Sequence, residues 1–279
     1  MKPDQFAAIY RYHADAAEAM PMHKFHHLPT IAQEWDPILG VLYLPLYSLG
    51  MAAHGMSSRI EYLRAKAAGR DLQFFAYSKL EVLEEICDEK YKGNNRFGDF
   101  FIRLYEIRKR AIRILEIGED VVRENLNRID VFPSEQTFKK SLKFLKVFQG
   151  ISETSAQHVL MELGWPIVKP DRHIQRILYR LGGWNDFFDS EDGDKQLTPS
   201  EWYRFQEKWN HTVSEIVNWT VNRSDFCALN SRKIDICLMW YSQTQRRSDP
   251  SLSAPLCTAD PSCLSCEVSD CTLRRHNRA

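Results

Sequence analysis

The sequence predicts an all-α protein, and three observations support this. Apolar residues recur at intervals of three and four along most of the 279 residues, which is the spacing of amphipathic helices. No stretch of useful length alternates apolar and polar residues as a half-buried strand does. Twelve glycines and twelve prolines are too few for a disordered or fibrous chain, and a hydrophobic content of 44% is ordinary for a globular protein.

The predicted helices follow one another with short polar connections. In chain order they cover residues 3–20, 57–68, 72–91, 97–126 (one long or one broken helix), a helix that starts at Ser134, the helices of the 142–181 segment, 199–221 and 230–241. Residues 35–50 are rich in aromatic residues and leucine, and Pro37 and Pro45 limit helix length there, so a buried core segment is expected. In the 97–126 segment, Arg103 and Arg110 are expected to face mostly outward. We divide the chain into an N-terminal helical lobe (1–95), a helical core (96–183) and C-terminal helices with a cysteine loop (184–279).

Charge and composition restrict the location and the partners of the protein. The net charge is zero, so overall electrostatics do not indicate a polyanionic partner. Residues 101–180, however, carry 15 Lys and Arg against 10 Asp and Glu, whereas residues 181–230 carry 4 against 9. No secretory signal is visible, and the most apolar run, residues 38–49, is too short to cross a bilayer. We therefore expect no membrane association and a cytoplasmic location, where unligated cysteines stay reduced.

Residues 142–181 are the most informative stretch of the chain. Gly150 is expected to end one helix, because glycine adopts the left-handed conformation of helix C-termini at little steric cost. Ser152 or Thr154 can then cap a second helix. A proline-bounded loop follows and places Asp171 at the start of a third helix. The backbone N–H groups at the N-terminus of the second helix suit a phosphate, although an ordinary αα-hairpin in a bundle has the same pattern.

With the downstream residues Gly-Trp-Pro-Ile-Val-Lys-Pro-Asp-Arg-His-Ile-Gln-Arg-Ile, the segment resembles the helix-hairpin-helix DNA glycosylase superfamily, in particular its endonuclease III-like branch. The resemblance covers roughly residues 100–181 and returns at the C-terminus. It implies a two-lobed fold, duplex DNA as partner, a monomer associated with the nucleoid, and Asp171 as the essential aspartate. It also implies a monovalent cation site at the hairpin. The implied DNA-binding residues are Gly150, Ile151, Ser152, Thr154 and Ser155.

The hairpin departs from the family pattern at two positions. Bifunctional members carry a lysine two residues after the second hairpin glycine, but here Thr154 holds that position and Ser152 replaces the glycine. Without that amine, the implied reaction is monofunctional, so that water releases the base and an abasic site remains. Lys169 is a candidate substitute, which leaves a glycosylase with lyase activity as an alternative. The other alternative is a non-catalytic DNA-binding or redox-sensing relative. The N-terminal lobe lacks the family's usual glutamine-containing helix, which suggests an unusual, modified base as substrate.

Four cysteines lie close together near the C-terminus. Cys257, Cys263, Cys266 and Cys271 follow a C-x5-C-x2-C-x4-C spacing, which in a reducing compartment indicates zinc or an iron–sulfur cluster rather than disulfides. The spacing does not distinguish the two metals. The family resemblance implies a [4Fe–4S] cluster, with zinc as the alternative, although the first and last gaps are each one residue shorter than is usual in the family.

Overall fold

The structure, a computed structural model, describes residues 1–15, 35–49, 53–91, 97–190, 196–242, 257, 266–268 and 271. Over these ranges the regular secondary structure is helical, without a β-strand, which confirms the predicted all-α class. The helices are α1 Pro3–Asp15, α2 Pro37–Tyr43 with a 3₁₀ segment Leu44–Leu49, α3 Ala53–Ala67, α4 Asp71–Tyr77, α5 Leu80–Tyr91, α6 Phe97–Ile117, α7 Glu119–Asn125, α8 Glu135–Leu145, α9 Glu153–Glu162, α10 Arg172–Leu181, α11 Pro199–Thr220 and α12 Ser231–Ser242. Each helix in this described part of the chain is too short or too polar to serve as a transmembrane span.

The helices group into two compact units. The hairpin unit comprises Gln33–Ile129 and Gln136–Leu163, and the terminal unit comprises Met1–Ala32, Asp130–Glu135 and Gly164–Ala279. The chain therefore leaves the hairpin unit at Ile129, returns to it at Gln136, and enters the terminal unit again at Gly164. The sequence-based division at residues 95 and 183 stays a prediction of domain organisation. Its boundaries differ from those of these two units.

Helix α6 is the centre of the hairpin unit. Leu104, Ile107, Ala111 and Ile114 lie at steps of three and four residues and are fully buried. Helices α2, α4, α5 and α7 pack around this face. Because burying an aliphatic side chain contributes about 1.5–3 kcal/mol, this stripe anchors the unit that carries α8 and α9.

Two of the predicted helices are divided in the structure. The single helix predicted over residues 72–91 is wrong, because the backbone turns extended at Ser78 (φ −61°, ψ 138°) between α4 and α5. The hydroxyl of Ser78 donates to the Phe74 carbonyl (2.5 Å), and the Ser78 carbonyl accepts from Arg108 Nε (3.1 Å), so side chains satisfy the groups at the break. The 97–126 segment is broken at Gly118, whose φ of +97° ends α6.

In the terminal unit, α10 packs against α12, and α1 packs against both α11 and α12. Helix α11 begins with a capping box in which the Thr198 side chain and Glu201 satisfy each other's backbone N–H groups. Its buried face carries Phe205 and Trp209, and Phe205 contacts the ring of Trp184 (centroids 5.2 Å apart). Helix α11 in turn packs against α12, the helix that α10 contacts.

Candidate functional site

The hairpin connects α8 to α9 by a tight turn. Gly150 has a φ of +76°, the left-handed conformation predicted for it. Ser152 is the N-cap of α9, because its Oγ accepts a hydrogen bond from Ser155 N (3.2 Å) and lies 3.0 Å from Ser155 Oγ. Of the two cap candidates left open by the sequence, the structure therefore selects Ser152, and Thr154 lies half-buried in the first turn. Ile151 is buried and anchors the turn in the hairpin unit.

The outer surface of this turn is concave. Residues from Lys146 to Ser152 line a depression of about 440 Å³. Lys146 Nζ lies 2.7 Å from Glu153 Oε2, so the lysine is held at the rim by the first helical residue of α9. A helix N-terminus carries a partial positive charge, whereas the charge of Lys146 is largely balanced by Glu153, with which it pairs. The arrangement is chemically suited to an anionic oxygen such as that of a phosphate.

Replacing Ser152 with alanine is expected to destabilise the protein by about 1 kcal/mol, the usual effect of removing an N-cap side chain. The Ser155 N–H would lose its acceptor while the turn keeps its length. Chemical denaturation measures the change. Thr154→Ala, which leaves the hydrogen bond from Ser155 N to Ser152 Oγ in place, is the matched control. Equal stabilities of the Ser152 variant and the wild type would show that the cap contributes nothing.

Asp171 is the N-cap of α10. Its Oδ1 accepts from His173 N (2.9 Å) and from Ile174 N (3.1 Å), so the side chain caps the helix. Its Oδ2 lies 3.9 Å from Lys169 Nζ, and the side chain is 21% exposed. The two carboxylate oxygens therefore differ: one holds the helix, and the other faces an amine. A catalytic role for Asp171 remains a prediction.

The loop before Asp171 is held from α11 and α12. Gln206 is fully buried, and its amide pairs with both backbone groups of Val168 (2.9 Å from Val168 N and 2.7 Å to Val168 O). Ser231 Oγ donates to the Ile167 carbonyl (3.1 Å). These bonds fix the backbone that presents Asp171. The sequence analysis missed Gln206, which lies 35 residues after Asp171 on a predicted helix.

His173 lies beside the cap and contacts α12. Its Nδ1 is 3.3 Å from the Ser242 carbonyl oxygen. Burial lowers the pKa of His173 below its ordinary value, although the Asp171 carboxylate and the hydrogen bond to Ser242 act in the opposite direction. The burial of His173 and its contact with Ser242 indicate a packing role.

This lowered pKa gives a testable dependence of stability on pH. The unfolded chain binds the histidine proton more readily than the folded one, so the contribution is present above the unfolded pKa of about 6.5 and is lost as the pH falls through the folded pKa. We expect the free energy of unfolding of the wild type to decrease more steeply below about pH 6.5 than that of His173→Gln. Urea denaturation at several pH values measures both curves. Parallel curves would contradict this assignment.

The cysteine region is described at three of its four predicted ligands. Cys257 Sγ accepts from Arg180 Nη1 (3.3 Å), and Cys266 Sγ lies 3.0 Å from the Tyr241 hydroxyl. Burial raises the pKa of Cys257 to about 11, an effect that Arg180 opposes and that Cys271 and Cys266 reinforce. Cys263 lies outside the described residues. Among the residues that are described, no group of three or more His, Cys, Asp or Glu side chains is arranged to hold a metal ion. The cluster therefore remains a prediction.

The surroundings of these sulfurs suit a negatively charged group. Arg180 is 1% exposed, and its guanidinium reaches a cysteine sulfur in the protein interior. Thiolates bound to a metal centre accept hydrogen bonds from neighbouring donors, and such donors tune the centre. Cys257, Cys266 and Cys271, together with Cys263, would supply the four thiolates. Arg180 and Tyr241 supply donors of the kind that such a centre requires.

The structure thus places the predicted residues in two groups. Gly150, Ile151, Ser152, Thr154 and Ser155 belong to the hairpin unit, whereas Asp171 and the cysteines belong to the terminal unit. Within the terminal unit, Asp171 is brought together with Lys169 and His173. The predicted pairing of Asp171 with the hairpin on one DNA molecule stays a prediction.

One sequence-based expectation about the hairpin unit is wrong. Arg110 was expected to face mostly outward, but its side chain is fully buried and donates to two backbone carbonyls. A signal was present in the sequence, because Arg110 stands between Ile107 and Ala111 on the apolar stripe of α6. A long polar side chain at such a position either extends to solvent or finds carbonyl acceptors, and periodicity does not distinguish the two.

Comparison with known proteins gives one structural likeness. No family model matches the chain, and no curated protein is significantly similar in sequence. Among solved structures, the chain is similar to the 8-oxoguanine DNA glycosylase of Methanocaldococcus jannaschii, with a TM-score of 0.46 and 20% identity, over 74% of this chain and 76% of that one. The likeness is to a DNA glycosylase at a coarse level, and it does not single out the endonuclease III-like branch.

Proposed function

We propose that this protein is a monofunctional DNA glycosylase that hydrolyses the N-glycosidic bond of a damaged or modified base in duplex DNA. In this proposal the hairpin from Gly150 to Ser155 binds backbone phosphate, Asp171 acts on the sugar, and the four cysteines hold a [4Fe–4S] cluster. The protein acts as a cytoplasmic, nucleoid-associated monomer. The observation that carries the proposal is the difference between the two carboxylate oxygens of Asp171. Oδ1 accepts the two hydrogen bonds that cap α10, whereas Oδ2 is not part of the cap.

The chemistry at Asp171 follows from charge. As the base departs, positive charge develops on the deoxyribose, and a carboxylate beneath the ring stabilises this oxocarbenium-like state. The same carboxylate orients the water that attacks the anomeric carbon, and accepts its proton. Because Oδ1 is fixed by two backbone N–H groups, Oδ2 is the oxygen proposed to face the sugar. Lys169 Nζ, whose ammonium group has the opposite charge, lies 3.9 Å from Oδ2.

In this proposal the hairpin positions the DNA and supplies no catalytic group. Thr154 supplies no amine for attack on the sugar, which supports base release by water. A monovalent cation at the hairpin is part of the proposal; the turn residues would hold it, and it would supply positive charge for a phosphate. To expose the bond, the nucleotide must leave the duplex, which costs a few kcal/mol and costs least for an unpaired or modified base. When bound, the iron–sulfur cluster would stabilise the loop that carries its four cysteine ligands.

The experiment that tests the proposal uses duplex oligonucleotides, each with one damaged or modified base. The protein is incubated with every duplex, the released base is identified by mass spectrometry, and abasic sites are converted to strand breaks by alkali. Base release from at least one duplex is expected. Duplex binding without release from any member of a broad panel would overturn the enzymatic proposal in favour of a non-catalytic DNA-binding or redox-sensing protein.

Lys169 favours a second candidate, a glycosylase with lyase activity. Its amine, once deprotonated, would attack C1′ as the bond to the base breaks, and opening of the C1′–O4′ bond of the sugar would then give a Schiff base that permits β-elimination. Borohydride reduces such a C=N bond and leaves a covalent protein–DNA adduct. An adduct that is lost in Lys169→Gln supports this second candidate. Base release without an adduct supports the monofunctional reaction.

A further inference from the structure

The hairpin turn is held from behind by a buried arginine of α6. Arg110 is 0% exposed, and its two terminal nitrogens donate to different backbone carbonyls: Nη1 to Gln149 O and Nη2 to Leu42 O, each at 2.8 Å. Burial lowers the pKa of Arg110 to about 10, so the guanidinium stays charged at neutral pH. One rigid group therefore ties the residue before Gly150 to the C-terminal turn of α2.

A carboxylate of the same helix lies directly against the turn glycine. A Cβ atom added to Gly150 would stand 2.8 Å from Glu106 Oε2, closer than real Cβ contacts. Arg103 Nη1 donates to both oxygens of Glu106 (2.9 Å each), and Arg110 Nη1 lies 3.8 Å from Oε2. Gly150 is favoured for two reasons: its φ is +76°, and a Cβ at this position would displace the Glu106 carboxylate from its place beside Arg103.

The charges of this group are arranged so that the carboxylate does not repel an anion. An isolated negative charge next to a phosphate-binding turn would be unfavourable, but Glu106 is 14% exposed and is flanked by two guanidinium groups. The three side chains together carry a net charge of +1 at neutral pH. They can therefore support the turn sterically and by hydrogen bonding while leaving the local potential favourable for DNA.

We propose that Arg103, Glu106 and Arg110 form a bracket that sets the Gln149–Gly150 turn and so aims the N-terminus of α9 at the DNA backbone. They are positioning residues, which act through the turn and do not touch DNA. This inference rests on the proposed DNA-binding role of the hairpin, and it adds residues from a different helix to that role. All of these contacts lie within the hairpin unit.

A double-mutant cycle tests the contact between the bracket and the turn. Gly150→Ala, Glu106→Ala and the double variant are compared in duplex affinity, by fluorescence anisotropy, and in thermal unfolding. Gly69→Ala is the matched control, since Gly69 has a φ of +78° but open space around its Cβ position, so it reports backbone strain without a clash. We expect Gly150→Ala to weaken duplex binding by on the order of tenfold, and the double variant to bind more tightly than the two single effects predict. If the effects of the two single variants simply add in the double variant, the proposed contact between the bracket and the turn is overturned.

Salt dependence separates positioning from direct contact with phosphate. Arg110→Lys keeps the positive charge but loses the guanidinium group that donates to two carbonyls. The affinity for duplex DNA should therefore fall, while the slope of log K against log salt concentration stays the same. Lys146→Ala, at the rim of the depression, should reduce that slope by about 1. A reduced slope in Arg110→Lys would show direct contact with DNA and overturn the positioning role. If the wild type fails to bind duplex DNA, the proposed function fails, and the thermal-unfolding cycle still decides whether the bracket sets the turn.

Discussion

Replacing Asp171 with asparagine should lower the rate of base release by on the order of 10²- to 10⁴-fold, the usual contribution of a positioned acid–base group. Asparagine is as good an N-cap as aspartate, so its side-chain oxygen can keep the hydrogen bonds from His173 N and Ile174 N. The change therefore removes the negative charge that Oδ2 presents while it preserves the start of α10. Single-turnover assays with the duplex identified by the substrate panel measure the rate.

Stability measurements show whether Asp171→Asn lowers the rate of base release without destabilising the protein. Its midpoint of thermal unfolding should match that of the wild type, whereas Asp171→Ala should lose the cap and about 1 kcal/mol of stability. Both variants should be inactive, but only the alanine variant should be destabilised. An asparagine variant with the wild-type rate would restrict Asp171 to its structural role as a cap, and the proposed mechanism would have no carboxylate.

Replacing Cys257 or Cys266 with serine should remove the iron–sulfur cluster. The wild type is expected to be brown, with iron and acid-labile sulfide in equal amounts, and each serine variant should lose most of both. The energy of metal binding is also folding energy, so these variants should unfold at a clearly lower temperature than the wild type. Quantification of iron and sulfide, the visible absorption spectrum and thermal unfolding measure these changes without an activity assay.

Cys87 provides the matched control for the cysteine variants. It is a buried cysteine of the hairpin unit and belongs to no predicted ligand set, so Cys87→Ala should keep iron, sulfide and colour. A colourless wild type with one bound zinc would replace the iron–sulfur proposal by the zinc alternative. A wild type that binds neither metal when purified without chelators would contradict a metal site at these cysteines altogether.

Local rules predicted the helix ends that depend on neighbouring residues. The segment 199–221 was expected to be helical and α11 covers Pro199–Thr220, because Thr198 and Glu201 form a capping box that is complete within four residues. Gly150 was expected to end a helix; its φ is positive as expected, but α8 already ends at Leu145 and Gly150 lies in the turn that follows. The division of the 72–91 segment at Ser78 was not predictable in this way, since the Ser78 carbonyl is satisfied by Arg108, thirty residues later.

The same distinction between neighbouring and distant interactions applies to the residues of the candidate site. Asp171 and Ser152 were identified from the sequence because cap positions, glycines and prolines act on the residues beside them. Arg110 and Gln206 were not identified with a role, because their partners lie on other segments: Arg110 reaches Gln149 and Leu42, and Gln206 reaches Val168. Their burial depends on which backbone groups the folded chain leaves without a helical partner.

The sequence by itself determined the all-α class, the glycine turn between two helices and the position of one aspartate at a helix start, because each depends on interactions within a few residues. Only the tertiary structure decided which polar side chains enter the interior and which surfaces they support. That outcome depends on long-range geometry, since a buried guanidinium or amide is stable only where carbonyl and N–H groups from distant segments meet it at hydrogen-bonding distance.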